Sequence, residues 1–298
     1  MSILLLGKDG QLGWELQRAL APLAPLIACG RGDCDLGDAA ALRALVAATR
    51  PAVIVNAAAY TAVDKAEADA TTAHAINAEA PRVLAECAVA SGALLIHYST
   101  DYVYDGKKSA PYVETDAVAP QSVYGRSKLA GEEGIRASGA RSLVFRTSWV
   151  FGEHGGNFVR TILRLARERD SLSVVDDQIG SPTPAALIAD VTAAALLRLD
   201  LGRRLGDGET RLYHLAAANP LSWCGFARRI VELAGGRAGG LRCAADAIRA
   251  ISSAEYPTPV RRPANSRLDC SRLAGDFDLH LPDWQPYLQR MLAQIAAR

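Results

Sequence analysis

Five short apolar runs in the first 150 residues, each set off by a longer helical pattern, constrain this chain more than any other feature. Residues 2–6, 26–29, 52–56, 94–98 and 142–146 read as strands; 11–20, 39–48, 73–91 and 123–137 read as helices. Strands apolar on both faces need cover on both faces, which a parallel sheet with crossover helices provides. The expected fold class is α/β, a doubly wound parallel sheet. The second half is less regular. There 158–169, 184–199, 222–235 and 285–297 read as helices and 213–216 as a strand, while 256–263, with three prolines, reads as a stiff extended segment. A domain change is expected near residue 150. Residues 1–150 carry the sheet and 151–298 form a smaller mixed α/β region, some of whose helices return to the first.

Composition narrows the function classes. Half of the 298 residues are hydrophobic, so the chain is globular rather than disordered. Thirty-three basic residues against 32 acidic ones leave a formal charge of +1, so no global field favours nucleic acid. The six cysteines form no C-x-x-C pair and lack zinc-ligand spacing to histidine. The first residues lack the basic region of a secretion signal, and no apolar stretch approaches the roughly 20 residues of a membrane helix. The expectation is a cytoplasmic protein with reduced thiols, no membrane and no nucleic acid.

The first chemical signal follows the first strand. Gly7-Lys8-Asp9-Gly10-Gln11-Leu12-Gly13 has the form G-x-x-G-x-x-G and opens a helix. Glycines there let backbone N–H groups approach a pyrophosphate, and the helix N-terminus favours its charge. Residues 1–150 therefore read as a dinucleotide-binding, Rossmann-type domain, with Gly7, Gly10, Gln11, Leu12 and Gly13 at the cofactor. At the end of the second strand Gly30-Arg31 stands where an acidic residue would hold the ribose of NAD. Arg31 suits the 2′-phosphate of NADPH, while Asp33 and Asp35 are near enough for NADH to be accepted as well. Asp35 and Leu36 are expected beside the adenine, and Ala57, Ala58 and Ala59 where the cofactor crosses the strand ends.

The second signal is Tyr-x-x-x-Lys, which occurs twice. Tyr104 and Lys108 flank Asp105-Gly106, a turn pair, and are not expected to share a helix face. Tyr124 and Lys128 lie in a helical pattern, which puts them on one face about 6 Å apart. An ammonium beside a phenol lowers the phenol's pKa, and the phenol can protonate a carbonyl oxygen as hydride arrives. Thr100 or Ser99, after the fourth strand, is placed to hydrogen-bond that oxygen.

Residues 7–16 (GKDGQLGWEL), 56–67 (NAAAYTAVDKAE), 97–104 (HYSTDYVY), 124–132 (YGRSKLAGE), 146–152 (RTSWVFG), 177–183 (DQIGSPT) and 256–268 (YPTPVRRPANSRL) together resemble the dTDP-4-dehydrorhamnose reductase family, within the extended short-chain dehydrogenases/reductases. The resemblance implies reduction of the C4 ketone of a dTDP-linked 4-keto-6-deoxy sugar by NADPH, the last step of dTDP-L-rhamnose synthesis. It makes Tyr124 the proton donor, Lys128 the ribose ligand, and Thr100 the partner of the reacting oxygen. It places Asp101 and Trp149 at the sugar, and Asn157 and Phe158 at the nucleotide. Arg261 or Arg262 would clamp the diphosphate, since a guanidinium matches phosphate geometry. A cytoplasmic homodimer is also implied. Some family members hold Mg²⁺ at the interface; Glu15 and Asp190 match two of the ligand positions, but Ala186 stands at a third. Related dehydratases carry Glu after Thr-Asp, where this chain has Tyr102. A reductase-like regulatory subunit and a reductase of another nucleotide-linked keto sugar stay open as alternatives.

Overall fold

The computed structural model describes residues 2–200 and 205–296; the expected last residue of the final helix, Ala297, lies outside them. Strands β1 (Ile3–Leu6), β2 (Leu26–Cys29), β3 (Val53–Asn56), β4 (Leu94–Thr100) and β5 (Ser142–Thr147) form a parallel sheet, and a sixth strand, Thr210–His214, joins it beside β5. The order is Thr210–His214, β5, β4, β3, β1, β2. The chain runs outward from β1 to β2, then returns to β3 on the other side. The switch between β1 and β3 opens a crevice at the strand ends, the usual ligand position in such sheets.

Alternation along β1 shows why both faces are covered. Ile3 and Leu5 join a core with Leu16 and Leu20 of the helix Gln11–Leu20 and Ile188 of the helix Ala185–Asp200. Leu4 and Leu6 join a second core with Leu42 and Val46 of the helix Ala39–Thr49 and Val83 and Leu84 of the helix Ala80–Ser91. Burying a side chain of this size contributes about 1.5–3 kcal/mol, so both faces are held by many such terms.

The segment expected as one helix over 73–91 is divided. A helix Ala70–His74 passes through a wider π-helical turn, Ala75–Glu79, into Ala80–Ser91. Pro81 explains the turn, because it has no N–H to give to the carbonyl of Asn77. That carbonyl instead faces Gly131, where a Cβ would lie 2.2 Å from it. The Asn77 amide bonds both backbone groups of Tyr60 and the hydroxyl of Ser127. One proline thus lets the helix Val123–Ser138, which carries Tyr124 and Lys128, pack closely on the π turn and the helix that follows it.

The sheet does not end at residue 150. Its last strand is Thr210–His214 rather than 213–216, and the helix Ala185–Asp200 packs on Gln11–Leu20. The remaining second-half strands are short and form sheets of two or three strands. Ile179–Gly180 lies between Leu221–Ser222 and Asn265–Ser266, and Leu172–Val175 pairs with Ile248–Ile251.

Candidate active site

Two cavities meet at the carboxyl ends of the strands. The first, of about 470 Å³, is a cleft at the switch point. Gly7, Gly10, Gln11 and Leu12 form its floor, Ala57, Ala58 and Ala59 one side, and Arg31, Asp35 and Leu36 its outer end. Gly7 has φ +89°, a left-handed conformation that glycine adopts without strain, and a Cβ there would lie 2.7 Å from Ala58 N. A Cβ on Gly13 would lie 1.9 Å from the Gly7 carbonyl oxygen. The turn is therefore compressed against the helix it opens, leaving a cradle of backbone. The Ser99 and Thr147 hydroxyls at this cleft are buried without a partner. Uncompensated buried hydroxyls beside a backbone cradle fit a dinucleotide, whose polar groups would satisfy them.

The outer end distinguishes the charges. The Asp33 carboxylate receives a bond from Lys8 Nζ at 2.5 Å and from Gly30 N–H at 2.8 Å. The Lys8 ammonium holds Asp33 below the ordinary carboxylate range. Asp35 accepts from Gly37 N–H at 2.9 Å. Arg31 stays exposed on the cleft. Sequence reasoning weighed Asp33 but not Lys8, because their partnership comes from the return of β2 beside β1.

The second cavity, about 1190 Å³, lies under the 253–265 segment. Its walls include Tyr102, Gln121, Phe158, Gln178, Trp223 and Arg262. Tyr102 on this side packs edge-to-face on Tyr124 of the cleft, with ring centres 5.5 Å apart. Tyr124 lines the cleft with the Thr100 hydroxyl beside its own, and its contact with Tyr102 links it to the larger cavity. Burial holds the Tyr124 phenol above its ordinary pKa, so it stays protonated at neutral pH. Thr100 is the last residue of β4 rather than a residue beyond it, and its hydroxyl donates to Asp101 at 3.2 Å. Burial pushes the Asp101 carboxyl up to about 6.

Lys128 departs from expectation. Its Nζ donates to the Tyr98 carbonyl at 2.6 Å and meets His97 Nε2 at 3.2 Å. The ammonium is thus committed to β4, and burial rather than Lys128 dominates the Tyr124 phenol. Lys128 itself is lowered to about 8 by burial, which the charge of Glu132 opposes. Glu132 is clamped by Arg146 of β5, with contacts of 2.5 to 3.2 Å, which ties the helix Val123–Ser138 to the sheet. Tyr104 and Lys108, the rejected pair, are apart as expected: Tyr104 bonds His214 and Arg146, Lys108 bonds Asp116, and Gly106 turns at φ +72° between them.

Three further expected site residues have partners within the chain. Asn157 caps the helix Phe158–Glu168 by accepting from Arg160 N–H, and it donates to Gln11 Oε1 at 3.0 Å. It therefore locks the 152–157 loop to Gln11 after the glycine turn, while its neighbour Phe158 lines the larger cavity. Trp149 has φ +48°, and its ring stacks on Trp223 at 3.4 Å over Gly180, whose Cβ would lie 2.4 Å from the indole. Arg262 is engaged: it donates to Asp64 at 2.5 Å and to the Tyr102 hydroxyl at 3.1 Å, whereas Arg261 is exposed. Asp64 and Trp223 went unnoticed, since nothing local marks their partners 198 and 74 residues away.

The Mg²⁺ expectation meets a different obstacle. Glu15 and Asp190 do come together, but on Arg18, which donates to Asp190 at 2.7 Å and to Glu15 at 3.3 Å. Ala186 is buried and offers no donor. A guanidinium already occupies the space between the carboxylates, so this donor set does not fit a divalent cation. Among the described residues, no three His, Cys, Asp or Glu side chains are grouped to hold a metal ion.

Residues 1–297 match the family described as the RmlD substrate binding domain. The dTDP-4-dehydrorhamnose reductase of Escherichia coli K12 is 47% identical over 99% of this chain and 98% of that protein. The chain belongs to the dTDP-4-dehydrorhamnose reductase family. Solved reductases of this family superpose closely. The one from Clostridium acetobutylicum has a TM-score of 0.87 at 32% identity, covering 99% of both chains. The Bacillus anthracis reductase, solved in complex with NADP, also has a TM-score of 0.87 at 32% identity, covering 98% of this chain and 99% of that one.

Proposed function

We propose that this chain reduces the C4 ketone of dTDP-4-dehydro-β-L-rhamnose to dTDP-L-rhamnose with NADPH, the last step in making that nucleotide sugar. The observation that carries the reading is Tyr124, which lines a dinucleotide cleft with Thr100 beside its hydroxyl and packs on Tyr102 of a cavity sized for a nucleotide sugar. Bound in the cleft, NADPH supplies the hydride. Thr100 bonds the ketone oxygen and orients it toward the Tyr124 phenol. A phenol kept protonated by burial is suited to give its proton to the oxygen as it gains charge. Lys128 directs its remaining N–H toward the cofactor ribose. Asp101 bonds a sugar hydroxyl and Trp149 covers the ring. Arg262 holds the diphosphate once that group replaces Asp64 as its partner. The fixed Asp33 and exposed Arg31 support NADPH over NADH. Hydride transfer of this kind asks nothing of a metal. A cytoplasmic homodimer is part of the same reading, and sedimentation of the purified protein tests its dimeric part.

The deciding experiment follows cofactor oxidation at 340 nm with freshly generated keto sugar, comparing NADPH with NADH. Tyr124→Phe is expected to cut kcat by about 10²–10⁴ while NADPH binding is kept. Full turnover in that variant removes Tyr124 from the reaction. No oxidation by the unaltered protein, with NADPH bound, overturns the choice of sugar.

A further inference from the structure

Beneath the catalytic helix lies a buried polar chain that the proposed reaction has not used. Asn56 ends β3 and His97 sits opposite it on β4 as its register partner. Both are 1% exposed. Asn56 Nδ2 lies 3.2 Å from His97 Nδ1, and His97 Nε2 lies 3.2 Å from Lys128 Nζ. A fully enclosed imidazole between an amide and an ammonium is costly unless each nitrogen is engaged. Apolar residues fill the same stretch of the sheet: Leu95 and Ile96 precede His97, and Val144 is its register partner on β5. Packing alone would be served by another such residue.

We infer that His97 is a positioning residue for the reaction, accepting a hydrogen bond from Lys128 through Nε2 while Asn56 holds the ring by Nδ1. The inference rests on the role given to Lys128 above. An ammonium can only donate, so Nε2 accepts and the ring proton sits on Nδ1; the Asn56 amide then serves the ring with its two ends exchanged, Oδ1 accepting from Nδ1–H. Two of the three ammonium protons are then fixed on β4, one on His97 and one on the Tyr98 carbonyl. The third is left to point out into the cleft that Lys128 lines. A flexible four-carbon side chain is thereby reduced to one direction.

The groups facing this ammonium are few. His97 and the Tyr98 carbonyl come from β4, Glu132 lies one turn on along its own helix, and Arg146 of β5 clamps Glu132. Tyr124 lies one turn back, with Thr100 and Asp101 acting on its hydroxyl. His97 is itself held neutral by burial and by the Lys128 charge, so it remains an acceptor across the working pH range. Removing that acceptor leaves a buried ammonium with one fewer partner, which loses its proton at lower pH.

The chain has only five lysines, so carbon-13 labelling at lysine Cε gives a spectrum in which Lys128 can be followed through pH. His97→Leu removes the acceptor, while His97→Gln places an amide near the Nε2 position. In the protein without cofactor, His97→Leu should lower the Lys128 titration midpoint by about one unit and His97→Gln should restore it. NADPH affinity at pH 8, read by fluorescence quenching, should weaken about ten-fold in His97→Leu and recover in His97→Gln. The basic limb of the kcat profile should move down with the midpoint. An unchanged Lys128 midpoint in a folded His97→Leu protein overturns the inference. Should the leucine variant fail to fold by circular dichroism, Asn56→Ala keeps the imidazole but frees it, and an unchanged midpoint there overturns the inference equally. The titration needs no turnover, so its outcome is independent of whether the keto sugar has been rightly chosen.

Discussion

The two cavities are built on opposite plans. The cleft at the switch point is walled largely by glycines, alanines and strand ends, and beside its polar side chains it holds the unpartnered hydroxyls of Ser99 and Thr147. The larger cavity is walled by long side chains already bonded to one another: Arg262 to Asp64 and Tyr102, and Gln178 to Ser253. A ligand entering the first finds donors waiting. A ligand entering the second must exchange partners with groups that are already satisfied. The contrast teaches that the cleft is specified by shape, where one added carbon is ruinous, and the cavity by charge, where a lost side chain is only weakening.

The sharpest way to break that contrast is at Gly13. An added methyl cannot be housed 1.9 Å from the Gly7 carbonyl, so Gly13→Ala should shift the turn and weaken NADPH about 10- to 100-fold, while dTDP binds as before. Isothermal titration with each ligand checks both halves; equal loss of the two would mean that the plans are not separate. A smaller effect is expected at Arg262, where removal to alanine should raise KM for the keto sugar about ten-fold with NADPH affinity unchanged. An unchanged KM would show that the Asp64 pairing is permanent rather than exchanged for phosphate. Smallest of all is the response to EDTA, expected to alter kcat less than about two-fold because Arg18 already neutralises Glu15 and Asp190. A large loss that Mg²⁺ restores would contradict the fit of Arg18 to that position.

The cleft was far more legible in sequence than the cavity, and the two plans explain why. Shape made of glycine and short strands leaves a local imprint: the spacing of Gly7, Gly10 and Gly13 and the runs of β1 to β5 are contiguous, and strand limits differ from the reading by at most two residues. The helical spacing of Tyr124 and Lys128 is local too. Charge made of paired side chains leaves none, since Asp64 and Arg262 are joined only by the fold. Lys128 shows the boundary. Its place on the helix followed from spacing, but its partners came from β4 and could not. Two-residue strands such as Ile179–Gly180 carry no periodicity to detect. The strand Thr210–His214 was displaced in the reading because Thr210 and Arg211 lack the apolar character of the other sheet strands. Pro81 was visible, but its result, a π turn, depends on Gly131 being close enough to receive the Asn77 carbonyl.

The late arrival of that last sheet strand has a consequence for how the protein is made. When β5 has left the ribosome, its outer edge still lacks a partner, and the partner ends at His214, 214 − 147 = 67 residues further on. At the usual 5–20 residues per second this is a wait of roughly 3 to 13 s. During that interval β5 presents a bare edge to neighbouring nascent chains. Synthesis speed between residues 147 and 214 should therefore govern how much of this enzyme is recovered soluble, although none of those codons changes the finished fold.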